Sequence, residues 1–179
     1  MSTSASAVQP VAVLGAGSWG TALAIQFARA DRRTYLWGRD GAQIALLAKE
    51  HVNRRYLPDA PFPAALVVES KLENALKDCR DILIAVPSHA LRATLVLVAR
   101  HIRGDMRLAW ATKGFELHSG KLPHQVAAEV LDAKIPMAVL SGPTFAREVG
   151  AGLPTAMTVA ATDENFGRAL AESLSHSNF

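Results

Sequence analysis

Cysteine is almost missing from this 179-residue chain: Cys79 stands alone, which excludes an internal disulfide and fits a reducing compartment. No stretch approaches the roughly 18 uninterrupted apolar residues of a membrane span, so no integral membrane contact is expected. The opening MSTSASAVQP has neither the basic cluster nor the apolar core of a secretory signal and reads as a disordered lead-in over residues 1–10. A cytoplasmic location is the expectation. Lys and Arg are scattered rather than gathered into a tract, and the formal charge is only +3, so no nucleic-acid footprint is present. Internal repeats are lacking, and no metal site is expected. What remains is 50% hydrophobic and 20% charged residues, the balance of a soluble globular chain long enough for one compact core.

Within that composition the stretch VAVLGAGSWGTALA carries the most information. Val11–Leu14 is expected as a short buried strand, after which Gly15 permits a tight turn. Gly17 lets the backbone approach a pyrophosphate, and Gly20 allows the next helix to pack closely on the strand. The helix opening near Ser18 aims free N–H groups and its positive dipole end at the same spot. This is the pattern of a dinucleotide-binding turn. About twenty residues further on, Thr34–Trp37 forms another strand, ending in Gly38, Arg39 and Asp40. At that place an acidic side chain accepts from the ribose hydroxyls of NAD, whereas an arginine takes the 2′-phosphate of NADP. Arg39 comes first and its guanidinium suits a phosphate, so NADP(H) is the preferred cofactor; Asp40 keeps NAD(H) as the alternative. Arg39 as a solvated residue paired with Asp40 is the competing reading.

Along the rest of the chain, apolar runs alternate with amphipathic stretches, which calls for a doubly wound, mainly parallel α/β sheet with helices on both faces. Helices are predicted over residues 43–50, 71–77, 90–101, 122–131, 144–149 and 165–174. Strands are predicted over 66–68, 82–86, 106–111, 137–140 and 156–161. Residues 53–63, with Pro58, Pro61 and Pro63, read as a proline-punctuated loop.

Ligands of such sheets bind beyond the carboxyl ends of the strands, and three segments fall there. In AVPSHALR, Pro87 ends a strand, and Ser88 and His89 open a turn toward the nicotinamide half of a cofactor. His89 is a candidate acid or base, or else a solvated residue of a first helical turn. In WATKGFE, Lys113 projects from the end of a core strand and offers a compact charge to a phosphate, carbonyl or carboxamide, while Gly114 leaves room. An ordinary surface lysine is the plainer reading. In SGPTFAREV, Gly142, Pro143 and Thr144 lead into a helix start that favours anions, and Thr144 either donates to a ligand or caps the helix.

Taken in order, GAGSWGTALA, LWGRD, the N-x-x-YLP stretch at residues 53–58, AVPSHALR, ATKGFE and SGPTFAREV resemble the NAD(P)-dependent glycerol-3-phosphate dehydrogenases of the bacterial type, over residues 11–179. The resemblance implies a Rossmann-like NAD(P)-binding domain of an oxidoreductase. It implies that Ser18, Trp19 and Arg39 contact NADPH, that Ala146 lines the cofactor site, and that Lys113 touches both cofactor and substrate. Gly142 and Thr144 would bind glycerol 3-phosphate or dihydroxyacetone phosphate. The implied reaction is reversible hydride transfer at C2 of glycerol 3-phosphate, which supplies the backbone for phospholipid synthesis.

In that family a catalytic lysine sits in a G-x-x-L-x-x-x-L-K-N type segment that opens a helical second domain. No Lys follows Lys134 here, so by the resemblance that lysine is expected beyond Phe179. The chain is therefore expected to bind nucleotide and turn over poorly, lacking its proton carrier. A domain parted from its second half is also expected to expose apolar surface and to associate as a homo-oligomer. Two rival readings stand beside this one. Another hydroxy-acid or ketopantoate-type dehydrogenase would share the glycine turn but lack the paired ATKGFE and SGPTFAREV segments. A non-enzymatic module that senses NADPH or binds a partner is the other, and coding sequence running on past Phe179 into a helical domain would exclude it.

Overall fold

The computed structural model describes residues 9–175. The lead-in expected over residues 1–10 lies outside them up to residue 8, and so do residues 176–179. Phe179, the residue beyond which the catalytic lysine is expected, is thus outside the described residues too. Strand β1 (Val11–Leu14) is fully buried along its length, so it must run through the middle of a sheet that is covered on both sides. Its side chains alternate between two cores. Val11 and Val13 join the core beneath α1 (Ser18–Arg29), α6 (Ala146–Ala151) and α7 (Glu164–Leu174), with Phe27, Val149 and Phe166. Ala12 and Leu14 join the core beneath α3 (Leu72–Leu76), α4 (Ser88–Ala99) and α5 (Pro123–Val130), with Leu76, Leu95 and Val126. Because α1 is sandwiched between the sheet and α6, residues 20–28 are buried and the helix is apolar almost all round.

The other strands in the sheet of β1 are β2 (Thr34–Trp37), β5 (Leu66–Glu69), β6 (Asp81–Ile84), β7 (Arg107–Trp110), β8 (Met137–Ser141) and β9 (Thr158–Ala161). They form one sheet in the order β5-β2-β1-β6-β7-β8-β9, parallel throughout except for the antiparallel β8–β9 pair. The chain winds outward from β1 in one direction, then returns to β6 and winds outward in the other. Leu14 lies opposite both Trp37 and Ile84, and Ile84 opposite Trp110, so these strands stop at one level. The reversal of winding between β1 and β6 leaves a crevice beyond those ends, where a doubly wound sheet binds its ligands.

Several local features depart from the sequence expectations, among them a hairpin and the starts of two helices. The segment over residues 53–63 is a small hairpin of β3 (Val52–Asn53) and β4 (Leu57–Pro61), not a bare loop. Proline is tolerated in an edge strand when its nitrogen faces away from the ladder, and Leu57 and Ala60 bury themselves while Pro58 and Pro61 stay exposed. Helix α2 (Gly41–Glu50) begins two residues before the expected 43, because the Asp40 carboxylate accepts from the N–H groups of Ala42 and Gln43 at 3.0 and 3.2 Å. Helix α4 likewise starts at Ser88, directly after Pro87.

At the opposite end of the sheet from the crevice, the buried Asp81 carboxylate receives Arg107 at 2.6 and 2.8 Å and Arg32 at 2.7 Å. Burial by itself would push its pKa up, but the hydrogen bonds from Arg107 and Arg32 outweigh that and hold it below the usual carboxylate range. This ion cluster ties β6 to β7 and to the turn after α1. Among the described residues no helix is long and apolar enough to cross a membrane.

Candidate functional site

The glycine turn closes the crevice from below. Gly15 has φ +124°, a conformation that L side chains rarely adopt, and a Cβ there would stand 2.7 Å from the Ala85 carbonyl oxygen of the neighbouring strand end. At Gly20 a Cβ would lie 1.8 Å from the Gly15 carbonyl oxygen, so the helix can approach the turn only without a side chain. Gly17 is different in kind: nothing comes within 4 Å of its Cβ position, so its face is open for a ligand. It is also the N-cap of α1, with no side-chain cap and no acidic residue in the first turn. The first N–H groups of a twelve-residue helix are thus left to an incoming anion.

Two clefts meet at Gly17 and share Ala85, Val86 and Pro87. The first, of about 330 Å³, runs past Gly38 to Arg39 and Asp40 and is flanked by Gln43, Tyr56 and His89. Asp40 is occupied in capping α2, and Arg39, exposed beside it, pairs with no carboxylate among the described residues. Arg39 is thus solvated, as the competing reading has it, but its pairing with Asp40 is not formed.

The second cleft, of about 410 Å³, is walled by Ser18, Trp19, Thr112, Lys113, Thr144 and Ala146. Lys113 Nζ lies 5.4 Å from the centre of the Trp19 ring, a cation–π distance that draws the ammonium over the cleft. Trp19 Nε1 and Thr144 Oγ1 are both buried and have no hydrogen-bond partner among the described residues. A buried polar group left unpaired costs about 1–3 kcal/mol, and two such groups in one cleft mark a place shaped for a polar ligand. Together with the open face of Gly17 and the unpaired Arg39, these groups fit a phosphate-rich dinucleotide lying across the strand ends.

The structure brings Gly17, Ser18, Trp19, Lys113, Thr144 and Ala146 into one cleft and Arg39 into the adjoining one. Gly15 and Gly20 shape the turn rather than face the open space. His89 lines the Arg39 cleft and not the Lys113 cleft, so it is not placed to exchange protons where Lys113 and Thr144 converge. Thr144 does not cap α6, whose N-cap is Phe145. Gly142 lines neither cleft: a Cβ there would lie 2.7 Å from the Ala156 carbonyl oxygen, so its missing side chain serves close backbone packing. The lysine expected beyond Phe179 has no counterpart among the groups that line either cleft, where Lys113 is the single lysine.

Three features were not singled out by chemical reasoning on the sequence. Tyr56, from the N-x-x-YLP stretch, borders the Arg39 cleft, and Gln43 reaches it from α2. The third is a clamp: Arg92 of AVPSHALR grips Glu116 of ATKGFE at 2.7 and 2.8 Å and also reaches Glu129 of α5 at 2.7 Å. The hydrogen bonds from Arg92 and then Ser119 pull the Glu116 pKa down to about 2. No periodic pattern announces a pair 24 residues apart.

Residues 10–167 match the family described as the NAD-dependent glycerol-3-phosphate dehydrogenase N-terminus. A glycerol-3-phosphate dehydrogenase (NAD(P)+) of Sodalis glossinidius is 53% identical over 154 residues, which cover 86% of this chain and 46% of that protein. The enzyme of the same name from Serratia marcescens is 49% identical over 164 residues, covering 92% of this chain and 48% of its own length. The crystal structure of glycerol-3-phosphate dehydrogenase from Coxiella burnetii superposes with a TM-score of 0.91 at 42% identity, over 96% of this chain and 52% of that one. The chain thus spans about half the length of the curated relatives it matches. With its glycine turn, its sheet order and its two clefts accompanied by a match along most of its length, the chain belongs to the NAD-dependent glycerol-3-phosphate dehydrogenase family and carries that family's N-terminal part.

Proposed function

We propose that residues 11–179 are the NAD(P)-binding domain of an enzyme that interconverts dihydroxyacetone phosphate and glycerol 3-phosphate, with NADPH the preferred cofactor. The observation that carries this reading is the pair of clefts joined at Gly17, one ending at an unpaired guanidinium and the other holding an ammonium beside two unpaired polar groups. When bound, the reduced nicotinamide supplies the hydride that the substrate carbonyl carbon accepts. The chain's own residues bind and orient. Gly17 and the first N–H groups of α1 hold the pyrophosphate, and Arg39 holds the 2′-phosphate because Asp40 is spent on its helix.

Lys113 places a positive charge where a substrate phosphate or carbonyl oxygen can receive it, and Thr144 Oγ1 supplies a donor. Trp19 and Ala146 wall the cleft and keep water out. Among the residues lining this cleft Lys113 is the one titratable side chain, and its task here is charge rather than proton exchange. A cytoplasmic setting goes with this chemistry. Cys79 takes no part in it, since burial pushes its thiol up to about 12 and leaves it inert.

Isothermal titration of the 179-residue chain with NADPH and NADH, followed by addition of dihydroxyacetone phosphate, tests the proposal. NADPH-selective binding with little oxidation is expected. Absence of binding by either nucleotide overturns it.

A further inference from the structure

The peptide between Ala16 and Gly17 is gripped from one side. The Ala16 carbonyl accepts the side-chain amide of Gln43 at 2.8 Å and that of Asn53 at 3.2 Å. Gln43 stands in α2 and Asn53 in β3, so two separate elements converge on one carbonyl in the middle of the glycine turn. Asn53 is 1% exposed; its Nδ2 also donates to Thr21 Oγ1 of α1 at 2.8 Å, while its Oδ1 has no partner among the described residues. This fixes which way the amide faces. Turned over, it would set Oδ1 against the Ala16 carbonyl, acceptor against acceptor.

A trans peptide carries its C=O and N–H on opposite sides, and the described chain has no cis bonds. Holding the Ala16 carbonyl toward α2 and β3 therefore turns the Gly17 N–H away from them, and Gly17 lines both clefts. Glycine on either side of Ala16 would otherwise leave this peptide free to rotate.

We propose that Asn53, assisted by Gln43, is a positioning residue: it presets the Ala16–Gly17 peptide so that the Gly17 N–H is ready for the pyrophosphate of a dinucleotide before the ligand arrives. The proposal rests on the cofactor reading above. Its value is preorganisation, since a peptide ordered in advance spares the ligand the cost of ordering it. Burial of Asn53 with one amide oxygen unpaired is a standing cost that this role explains.

The test compares the wild-type 179-residue chain with Asn53→Leu and Gln43→Met. Three quantities are read: NADPH affinity, adenosine 2′-monophosphate affinity, and the Gly17 amide resonance without ligand. Adenosine 2′-monophosphate has the 2′-phosphate but no pyrophosphate, so it reports the Arg39 cleft alone. Asn53→Leu is expected to weaken NADPH by about tenfold or more, keep adenosine 2′-monophosphate within about twofold, and shift the Gly17 resonance. Gln43→Met, at a half-buried position that also borders the Arg39 cleft, is read by NADPH affinity and the Gly17 resonance alone, and is expected to change both in the same direction but by less.

Unchanged NADPH affinity in both variants overturns the proposal. Equal loss for both ligands in Asn53→Leu overturns it too, because that is general loosening of the domain. If Asn53→Leu does not fold, Gln43→Met decides by the Gly17 resonance and NADPH affinity, and an unshifted resonance overturns the proposal. A wild-type chain that binds neither nucleotide overturns the cofactor reading and this proposal together, whereas NADPH-binding wild type with unaffected variants overturns positioning alone.

Discussion

Arg92 and Glu116 are joined by two parallel hydrogen bonds of 2.7 and 2.8 Å, and through them α4 holds the loop that follows Lys113 and Gly114. A planar guanidinium matched to a carboxylate in this way fixes direction as well as distance. The Lys113 cleft therefore owes part of its shape to a pair lying outside it.

Protonation of Glu116 should release that loop. Its pKa in the folded chain is drawn down to about 2 from the ordinary 4.5, by the hydrogen bonds from Arg92 and then Ser119. A depressed folded pKa means that the link contributes fully above the unfolded value and is lost as pH falls through the folded one. The window is thus from about 4.5 down to about 2. Carboxyl carbon NMR should show Glu116 titrating near the lower end, and Arg92→Leu should return it toward the ordinary glutamate range. Ordinary titration in the wild type would contradict the clamp.

Arg39→Ala should weaken NADPH by about 1–3 kcal/mol, as for a lost charged hydrogen bond, and leave NADH nearly untouched. Calorimetric titration with both nucleotides measures this. An equal loss for the two would remove the 2′-phosphate assignment and leave the neighbouring Asp40, already engaged with the N–H groups of Ala42 and Gln43, without a selective partner.

The two glycines that flank the start of α1 should respond in opposite ways. At Gly20 an added Cβ meets the Gly15 carbonyl oxygen at 1.8 Å, so Gly20→Ala is expected to disrupt the turn and lower the melting temperature sharply. At Gly17 the Cβ has open space, so Gly17→Ala should cost only about 1 kcal/mol of stability or less while blocking close approach of a phosphate. Thermal melts and NADPH titration of both variants separate the two effects. Comparable stability losses would show that the open face of Gly17 is not reserved for a ligand.

Asp81→Asn should destabilise the domain by about 3–5 kcal/mol, because it leaves the buried Arg32 and half-buried Arg107 guanidiniums without their counter-charge. The wild-type pKa is depressed, so this contribution is present above the unfolded carboxylate value and falls away in acid. Denaturant melts at neutral pH measure the loss. Since Asp81 starts β6 and the crevice lies beyond Ile84 at its other end, NADPH affinity of the folded fraction should not change. A loss below about 1 kcal/mol would mean the cluster is solvated in solution.

The strands VAVL and TYLW were legible residue by residue because a short apolar run between turn residues has one good solution, burial in a sheet. The hairpin over Val52–Asn53 and Leu57–Pro61 was hidden by its prolines, whose effect depends on which side of an edge strand faces solvent. That Lys113 and Thr144 line the crevice was legible because each follows a strand end. His89 followed one too, yet the first turn of α4 carries it to the Arg39 side of the crevice.

The sequence by itself determined the glycine turn, the alternation of strand and helix, and the family, since all three are written in local runs and their order. Tertiary structure alone decided which strand ends stand at one level, that Asp40 caps a helix while Arg39 stays unpaired, and that Gln43 and Asn53 meet on the carbonyl of Ala16. The physical reason is that hydrophobic periodicity records which face of an element is buried. The partner of a polar side chain is set by the packing of elements far apart in the chain, and no spacing rule encodes it.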